Sequence, residues 1–177
     1  MVDLATEYLG LKLSNPLVPS SSPLTGDAAT ARRLEDAGAA AIVMPSLFEE
    51  EVHQSEESVA RFLHEQAIGF GEADSFLPVP EECSTPLDEY LELLATLKAS
   101  LDIPVIASLN GVSNDGWIRY GKRLEEAGAD ALELNVYYIA GNIDQTGADV
   151  EARYLELLTD LRRELHIPIN MKLGPWF

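Results

Sequence analysis

Residues 32–42 read Arg-Arg-Leu-Glu-Asp-Ala-Gly-Ala-Ala-Ala-Ile, and residues 122–132 read Lys-Arg-Leu-Glu-Glu-Ala-Gly-Ala-Asp-Ala-Leu. In both copies a helical pattern ends at Ala-Gly, and an apolar run begins directly after it. Gly38 and Gly128 can adopt the left-handed conformation that ends a helix and turns the chain back sharply. The repeated stretch therefore predicts one structural unit, a helix followed at once by a strand.

Five apolar runs continue this rhythm along the chain. They cover residues 16–19, 40–44, 104–109, 131–136 and 168–173. The runs are continuous rather than alternating, which is typical of parallel strands covered by helices. Two of them begin at the proline of an Ile-Pro dipeptide, and a proline costs little at the first residue of a strand. This alternation predicts an α/β fold, either a partial (β/α)₈ barrel or a doubly wound sheet.

Helical patterns fill the intervals between the apolar runs. We predict helices at residues 27–37, 50–66, 87–100, 115–127 and 149–165. Thr25 or Asp27 can cap the first helix, and the pair Thr85-Pro86 suits the start of the third. Residues 6–13 predict a short hairpin around Gly10. The segment 47–86 is far longer than a usual connection and predicts an insertion after the second strand, within a single domain at residues 1–177.

Composition limits the possible partners. The chain has 177 residues, with 12 Lys and Arg against 30 Asp and Glu, so its formal net charge is −18. This charge argues against binding to nucleic acid or to an anionic membrane surface. One cysteine and three histidines show no metal-ligand spacing, so we expect no metal site. Neither a signal peptide nor a membrane-spanning run is apparent, and we expect a cytoplasmic protein with a small-molecule substrate.

Polar side chains stand at the carboxyl ends of all five predicted strands. They are Ser20, Ser21, Ser22, Ser46, Asn110, Asn135 and Lys172. On a barrel, the carboxyl ends of the strands converge on one ligand. Lys172 is the most informative of the set, because a lysine inside an apolar run needs a ligand or a charge partner. The pattern predicts a ligand site built from strand ends.

Four motifs occur in order along the chain. They are Asn-Pro-Leu-Val-Pro-Ser-Ser-Ser at 15–22, Ala-Ser-Leu-Asn-Gly at 107–111, Leu-Glu-Leu-Asn at 132–135 and Met-Lys-Leu-Gly-Pro-Trp-Phe at 171–177. Together they resemble successive strand ends of the class 1 dihydroorotate dehydrogenase family. The resemblance spans the whole chain and about the first half of a family member. It implies a partial TIM (β/α)₈ barrel, with about the first five βα strands and an N-terminal hairpin.

The resemblance also implies FMN as the cofactor and a role in pyrimidine metabolism. Hydride would pass between a small planar substrate and the flavin. The implied flavin site consists of Ser20, Ser21, Ser46, Asn110, Asn135 and Lys172. Lys172 matches a lysine beside the pyrimidine edge of the flavin, where a cation stabilises the negative charge of the reduced ring.

The chain departs from the family pattern at three places. Tyr138 stands near the position of the family's catalytic Cys or Ser, although a phenol is a weak base at neutral pH. Pro45 replaces a common lysine after the second strand. Asp74 and Ser75 lie where the family has an asparagine-rich substrate loop, so they are the candidate substrate residues. The family's phosphate-binding loops follow later strands, so we expect this chain to be an N-terminal part.

Two other functions stay open. Lys172 could form a Schiff base with a carbonyl substrate, which would make the protein a lyase. The chain could also be a non-catalytic half-barrel, such as a truncated product. An incomplete barrel leaves strand edges unpaired, so we expect a homo-oligomer or association through those edges.

Overall fold

A computed structural model describes residues 2–68 and 84–174, with the side chains of residues 59–68 excepted. The described elements are β1 (Thr6–Tyr8), β2 (Leu11–Leu13), a short 3₁₀ helix (Pro23–Thr25), α1 (Ala28–Asp36), β3 (Ile42–Phe48), α2 (Glu49–Ile68), α3 (Pro86–Ser100), β4 (Val105–Asn110), α4 (Asn114–Glu126), β5 (Ala131–Asn135), α5 (Gly147–Glu164) and β6 (Ile169–Lys172). The predicted α/β class is confirmed.

Four parallel strands form the main sheet in the order β3-β4-β5-β6. Neighbours in the sheet are also neighbours in the chain, and a helix follows β3, β4 and β5. The register of β3 against β4 shifts between Val43 and Ser46. This irregularity contains Pro45, which has no N–H for the ladder. The sheet thus agrees with consecutive βα units, as the repeat predicted.

The helix boundaries follow the predicted caps closely. The Asp27 side chain accepts a hydrogen bond from the Thr30 amide and caps α1. Thr85 and Thr146 each form a capping box, at the starts of α3 and α5. Each box provides acceptors for two backbone N–H groups, that of the cap residue and that of the third helical residue. The predicted helices are confirmed, with ends that move by one or two residues.

The first predicted strand, at residues 16–19, is wrong as a regular strand. The segment lies beside β3 and contributes only acceptors. The Leu17 carbonyl accepts from the Ala40 amide at 2.9 Å, and the Pro19 carbonyl accepts from the Val43 amide at 3.0 Å. Prolines at both ends of the segment lack the N–H groups that a ladder needs.

The predicted hairpin at residues 6–13 is confirmed as β1 and β2. Its turn has Leu9 at φ 55° and Gly10 at φ 74°, the positive values that a tight two-residue turn requires. Leu13 belongs to a small apolar cluster with Val43, Ile106 and Ala131. The hairpin therefore covers the amino-terminal end of one face of the sheet.

The two copies of the repeat fold in the same way. Gly38 has φ 103° and Gly128 has φ 92°, and the backbone hydrogen bonds around them match. In addition, the Glu35 carboxylate accepts from the amides of Asp102 and Ile103, just before β4. The Glu125 carboxylate accepts from the amides at 166 and 167, just before β6. The end of α1 thus binds the backbone just before β4, and the end of α4 binds the backbone just before β6.

The two faces of the sheet differ in chemistry. One face, here called the helix face, is fully apolar and packs against the helices; it includes Ile42, Met44, Leu47, Val105, Ala107, Leu109, Leu132 and Leu134. The opposite face, here called the polar face, has the small apolar cluster with Leu13 at its amino-terminal end. Towards the carboxyl ends of the strands it carries Ser46, Ser108, Glu133, Asn135, Asn170 and Lys172. Strand residues alternate between faces, so both sets come from the same strands.

Candidate functional site

Three side chains from three neighbouring strands form a hydrogen-bonded group on the polar face. The Ser46 and Ser108 hydroxyls are 2.9 Å apart. The Asn135 Nδ2 group donates to Ser46 Oγ at 2.7 Å and to Ser108 Oγ at 3.0 Å. Ser108 is completely buried and Asn135 is 8% exposed. The sheet register thus brings the predicted residues Ser46 and Asn135 together.

The group leaves one acceptor free within the described part of the chain. Both contacts of Asn135 use its amide nitrogen, and the buried Oδ1 atom has no hydrogen-bond partner there. A buried carbonyl oxygen without a donor costs free energy comparable to a lost hydrogen bond. Asn135 Oδ1 is therefore an available acceptor at this site.

The other predicted flavin residues surround this group at different depths. Ser21 lies beside it, with 3.4 Å between the Ser21 and Ser46 hydroxyl oxygens. Ser20 is exposed. Asn110 ends β4, two residues after Ser108 and therefore on the same face, and it lines a cavity described below.

Lys172 lies at the edge of the polar face and not in the core. Its side chain is 43% exposed, and its Nζ atom is 3.7 Å from Glu133 Oε1. The expectation of a charge partner is thus met by Glu133. The side chain is partly exposed because, among the described residues, β6 is paired only with β5.

A cavity of about 360 Å³ opens at the carboxyl ends of β3, β4 and β5. Its walls include aromatic rings, amides, one guanidinium and one carboxylate: Phe48, Trp117, Tyr137, Tyr138, Asn110, Asn114, Asn135, Arg153 and Glu50. Cavities of this size with a few convergent polar groups commonly hold small molecules. Asn135 lines this cavity and also binds the hydroxyls of Ser46 and Ser108 on the polar face.

Tyr138, the predicted catalytic residue, lines the cavity but has other partners. Its hydroxyl donates to Gln145 Oε1 at 2.9 Å, and the Arg153 guanidinium lies over its ring at 4.0 Å from the centroid. The side chain is 38% exposed. This geometry suits a wall that packs against a ligand, and the catalytic role of Tyr138 stays a prediction.

Glu49 holds the neighbouring loop in place. Its carboxylate is 2% exposed and accepts from the Val112 amide, the Ser113 amide and the Ser113 hydroxyl. Burial alone would raise the pKa of Glu49, but the hydrogen bonds from Ser113, Val112 and His53 outweigh it and lower that pKa. A Cβ at Gly116 would overlap the carboxylate, so glycine is required there. The hydrogen bonds to Glu49 therefore fix the β4–α4 loop that follows Asn110.

The candidate substrate residues Asp74 and Ser75 lie outside the described residues, so their role stays a prediction. Across residues 2–68 and 84–174, no helix is both long and apolar enough to cross a membrane. Within the same ranges, no group of three or more acidic, His or Cys side chains is placed to hold a metal ion.

Two residues of the polar face were not among the sequence-based candidates. Ser108 lies two positions before Asn110, and Glu133 lies two positions before Asn135. The alternation of a strand places each such pair on one face. Counting two residues back from each strand end identifies both.

Comparison with known proteins agrees with the resemblance. The chain is 27% identical over 177 residues to the dihydroorotate dehydrogenase B (NAD(+)) catalytic subunit of Thermoplasma acidophilum, covering 99% of this chain and 55% of the relative. It is 26% identical to the dihydroorotate dehydrogenase A (fumarate) of Lactobacillus delbrueckii, covering 99% and 56%. An NAD-dependent dihydropyrimidine dehydrogenase subunit of Escherichia coli is 29% identical, covering 75% and 32%. No family model matches the chain.

The first two of these relatives are dihydroorotate dehydrogenases that match 99% of the chain, which confirms the resemblance. The chain spans about half the length of the relatives that it matches. Among solved structures, a dihydrodipicolinate synthase from Bacillus anthracis superposes with a TM-score of 0.51 at 17% identity, covering 97% of this chain and 46% of that one. This likeness concerns the fold alone. The chain has a parallel α/β arrangement, and the solved structures that it resembles are barrel-like.

Proposed function

We propose that this chain is the N-terminal part of a (β/α)₈ barrel in an FMN-dependent oxidoreductase that resembles dihydroorotate dehydrogenase. Residues 1–177 would form part of one barrel domain, and 47–86 would be an insertion after the second barrel strand. The observation that carries the proposal is the polar face, where Ser46, Ser108 and Asn135 cluster and the buried Asn135 Oδ1 has no partner among the described residues.

The residues present fit the ring of a flavin. Asn135 Oδ1 is an acceptor for a ring N–H, and Ser21 and Ser46 offer hydroxyls that can donate or accept. Lys172 brings a cation to the same face. FMN, when bound, would supply the acceptor for a hydride. Ser20 and Asn110 complete the proposed set from the rim.

The cavity beside this face would hold the substrate. Tyr138 and Arg153 would form one wall, and Asn110 and Asn135 would present amides to a small planar ring. Tyr138 would exclude water rather than take a proton while its hydroxyl donates to Gln145. Asp74 and Ser75 remain the proposed substrate contacts from the insertion, and a homo-oligomer remains the proposed assembly.

Titration with FMN tests the proposal. We expect the complete protein, of which this chain is proposed to be the N-terminal part, to quench flavin fluorescence on binding. We expect Asn135→Ala to weaken FMN binding by about two- to tenfold, the value of one neutral hydrogen bond. Asn142→Ala is the matched control, because among the described residues this exposed asparagine bonds within its own loop. A complete protein that binds no FMN would refute the flavin proposal and favour the non-catalytic alternative.

The accessible amine of Lys172 keeps the lyase alternative testable. Borohydride reduction in the presence of a carbonyl substrate would attach the substrate covalently to Lys172 if the residue forms a Schiff base. Under the flavin proposal, we expect no such adduct. Peptide mass spectrometry distinguishes the two functions.

A further inference from the structure

The two buried carboxylates of the described residues have different surroundings. Glu49 has donors on both of its oxygens. Glu133 is 8% exposed, and its Oε2 atom accepts one bond from Asn170 Nδ2 at 3.3 Å. Its Oε1 atom is buried and accepts no hydrogen bond from the described residues. A buried carboxylate with an unsatisfied oxygen is costly, so packing alone does not account for Glu133.

The free oxygen of Glu133 faces Lys172. Glu133 Oε1 and Lys172 Nζ are 3.7 Å apart, a charge pair without a hydrogen bond. The side chain of Glu133 is 10% exposed and that of Lys172 is 43% exposed. The ammonium therefore has a buried carboxylate on one side and is open to solvent on the other. The charge of Glu133 also reaches the hairpin, where burial first and this carboxylate second raise the pKa of Tyr8.

We propose that Glu133 is a positioning residue that draws the Lys172 ammonium towards the sheet and so limits how strongly Lys172 stabilises negative charge on a ligand. The inference rests on the proposed function, in which Lys172 faces the flavin ring. Replacing Glu133 by the isosteric glutamine removes a negative charge and releases the ammonium. Both changes favour a reduced, negatively charged flavin, so the reduction potential should rise.

Amine labelling tests the pairing without any cofactor. In Glu133→Gln, we expect acylation of Lys172 to accelerate about two- to fivefold, because an ion pair no longer draws the amine towards the buried carboxylate and away from the reagent. Glu164→Gln is the matched control. It removes the partner of Lys122, a closer pair at 2.5 Å but about half-exposed on both sides, so we expect less than about a twofold change. An unchanged rate at Lys172 would overturn the proposal.

The potential of bound FMN tests the consequence. We expect Glu133→Gln to shift the two-electron reduction equilibrium about tenfold towards the reduced flavin, which is about 30 mV. In a Lys172→Ala background the shift should fall below half of this value, because Glu133 acts through Lys172. A shift that persists in full would refute the positioning role. Failure of the complete wild-type protein to bind FMN would refute the proposed function, and the labelling result would still decide whether Glu133 restrains Lys172.

Discussion

Strand β5 presents opposite chemistry on its two sides. Leu132 and Leu134 face the helices, are completely buried and belong to the apolar core. Glu133 and Asn135 face the other way, are nearly as buried, and each keeps one oxygen without a hydrogen bond among the described residues. Burial is therefore nearly equal on the two faces, whereas hydrogen-bond satisfaction differs between them.

The difference separates stability from function. Apolar burial on the helix face stabilises the fold by about 25 cal/mol for each Å² removed from water. The polar face carries buried oxygens without a partner among the described residues, and such groups are commonly explained by a ligand, an ordered water or a catalytic role. We therefore expect changes on the helix face to affect unfolding, and changes on the polar face to affect ligand properties.

The largest expected effect on stability comes from Leu134→Ala. The side chain is 0% exposed, so its truncation removes transfer free energy and leaves a cavity, at a cost of about 2–5 kcal/mol in the free energy of unfolding. Asn135→Ala, the next residue on the opposite face, should change that free energy by about 1 kcal/mol or less. Urea titration followed by circular dichroism measures both, and equal losses would contradict the division between the faces.

Lys172→Ala should act on the flavin instead. If the protein binds FMN as proposed, we expect the reduction potential to fall by about 30–65 mV, because a charge-assisted contact is worth about 1.5–3 kcal/mol and about 1.4 kcal/mol corresponds to 30 mV. Binding of oxidised FMN should change less. Spectroelectrochemical titration gives the potential. A lowered melting temperature with an unchanged potential would show that Lys172 serves only its ion pair with Glu133.

Glu49→Gln sharpens the comparison between buried carboxylates. Glu49 is satisfied and Glu133 is not, so we expect Glu49→Gln to lower the free energy of unfolding by about 1–3 kcal/mol, as for lost hydrogen bonds to a charged group. Glu133→Gln should cost less than about 1 kcal/mol, since the carboxylate lacks full pairing and its partner Lys172 is 43% exposed. The reverse order in chemical denaturation would contradict the assignment of Glu49 as the structural carboxylate.

The stabilisation by Glu49 should also depend on pH. Its pKa is lower in the folded chain than the ordinary value of 4.5, so the folded state binds the proton less tightly than the unfolded state. The contribution is fully present above pH 4.5 and is lost as the pH falls through the folded pKa. We expect the stability difference between wild type and Glu49→Gln to shrink below pH 4.5. A difference that grows on acidification would show the opposite linkage.

Local sequence patterns predicted the elements better than the contacts between them. Caps such as Asp27 and Thr85, and the glycines at 38 and 128, act within a few residues, so their roles are readable from the chain. The contact between the Ser46 and Ser108 hydroxyls depends on how β3 and β4 are aligned and on the irregularity at Pro45, so it is not readable from local sequence. The strand predicted at residues 16–19 was wrong, because apolar composition does not supply the N–H groups that its two prolines lack.

The paired joints at Glu35 and Glu125 have a consequence for engineering. Each joint consists of a carboxylate on a helix end, a glycine turn and two strand-entry amides, and the two copies are built alike. A segment that runs from one joint to the other is thus bounded by connectors of the same design. Such a segment is a candidate for duplication, or for exchange with that of a relative, in which the contacts of Asp130 with Lys98 and Val105 are the bonds to rebuild.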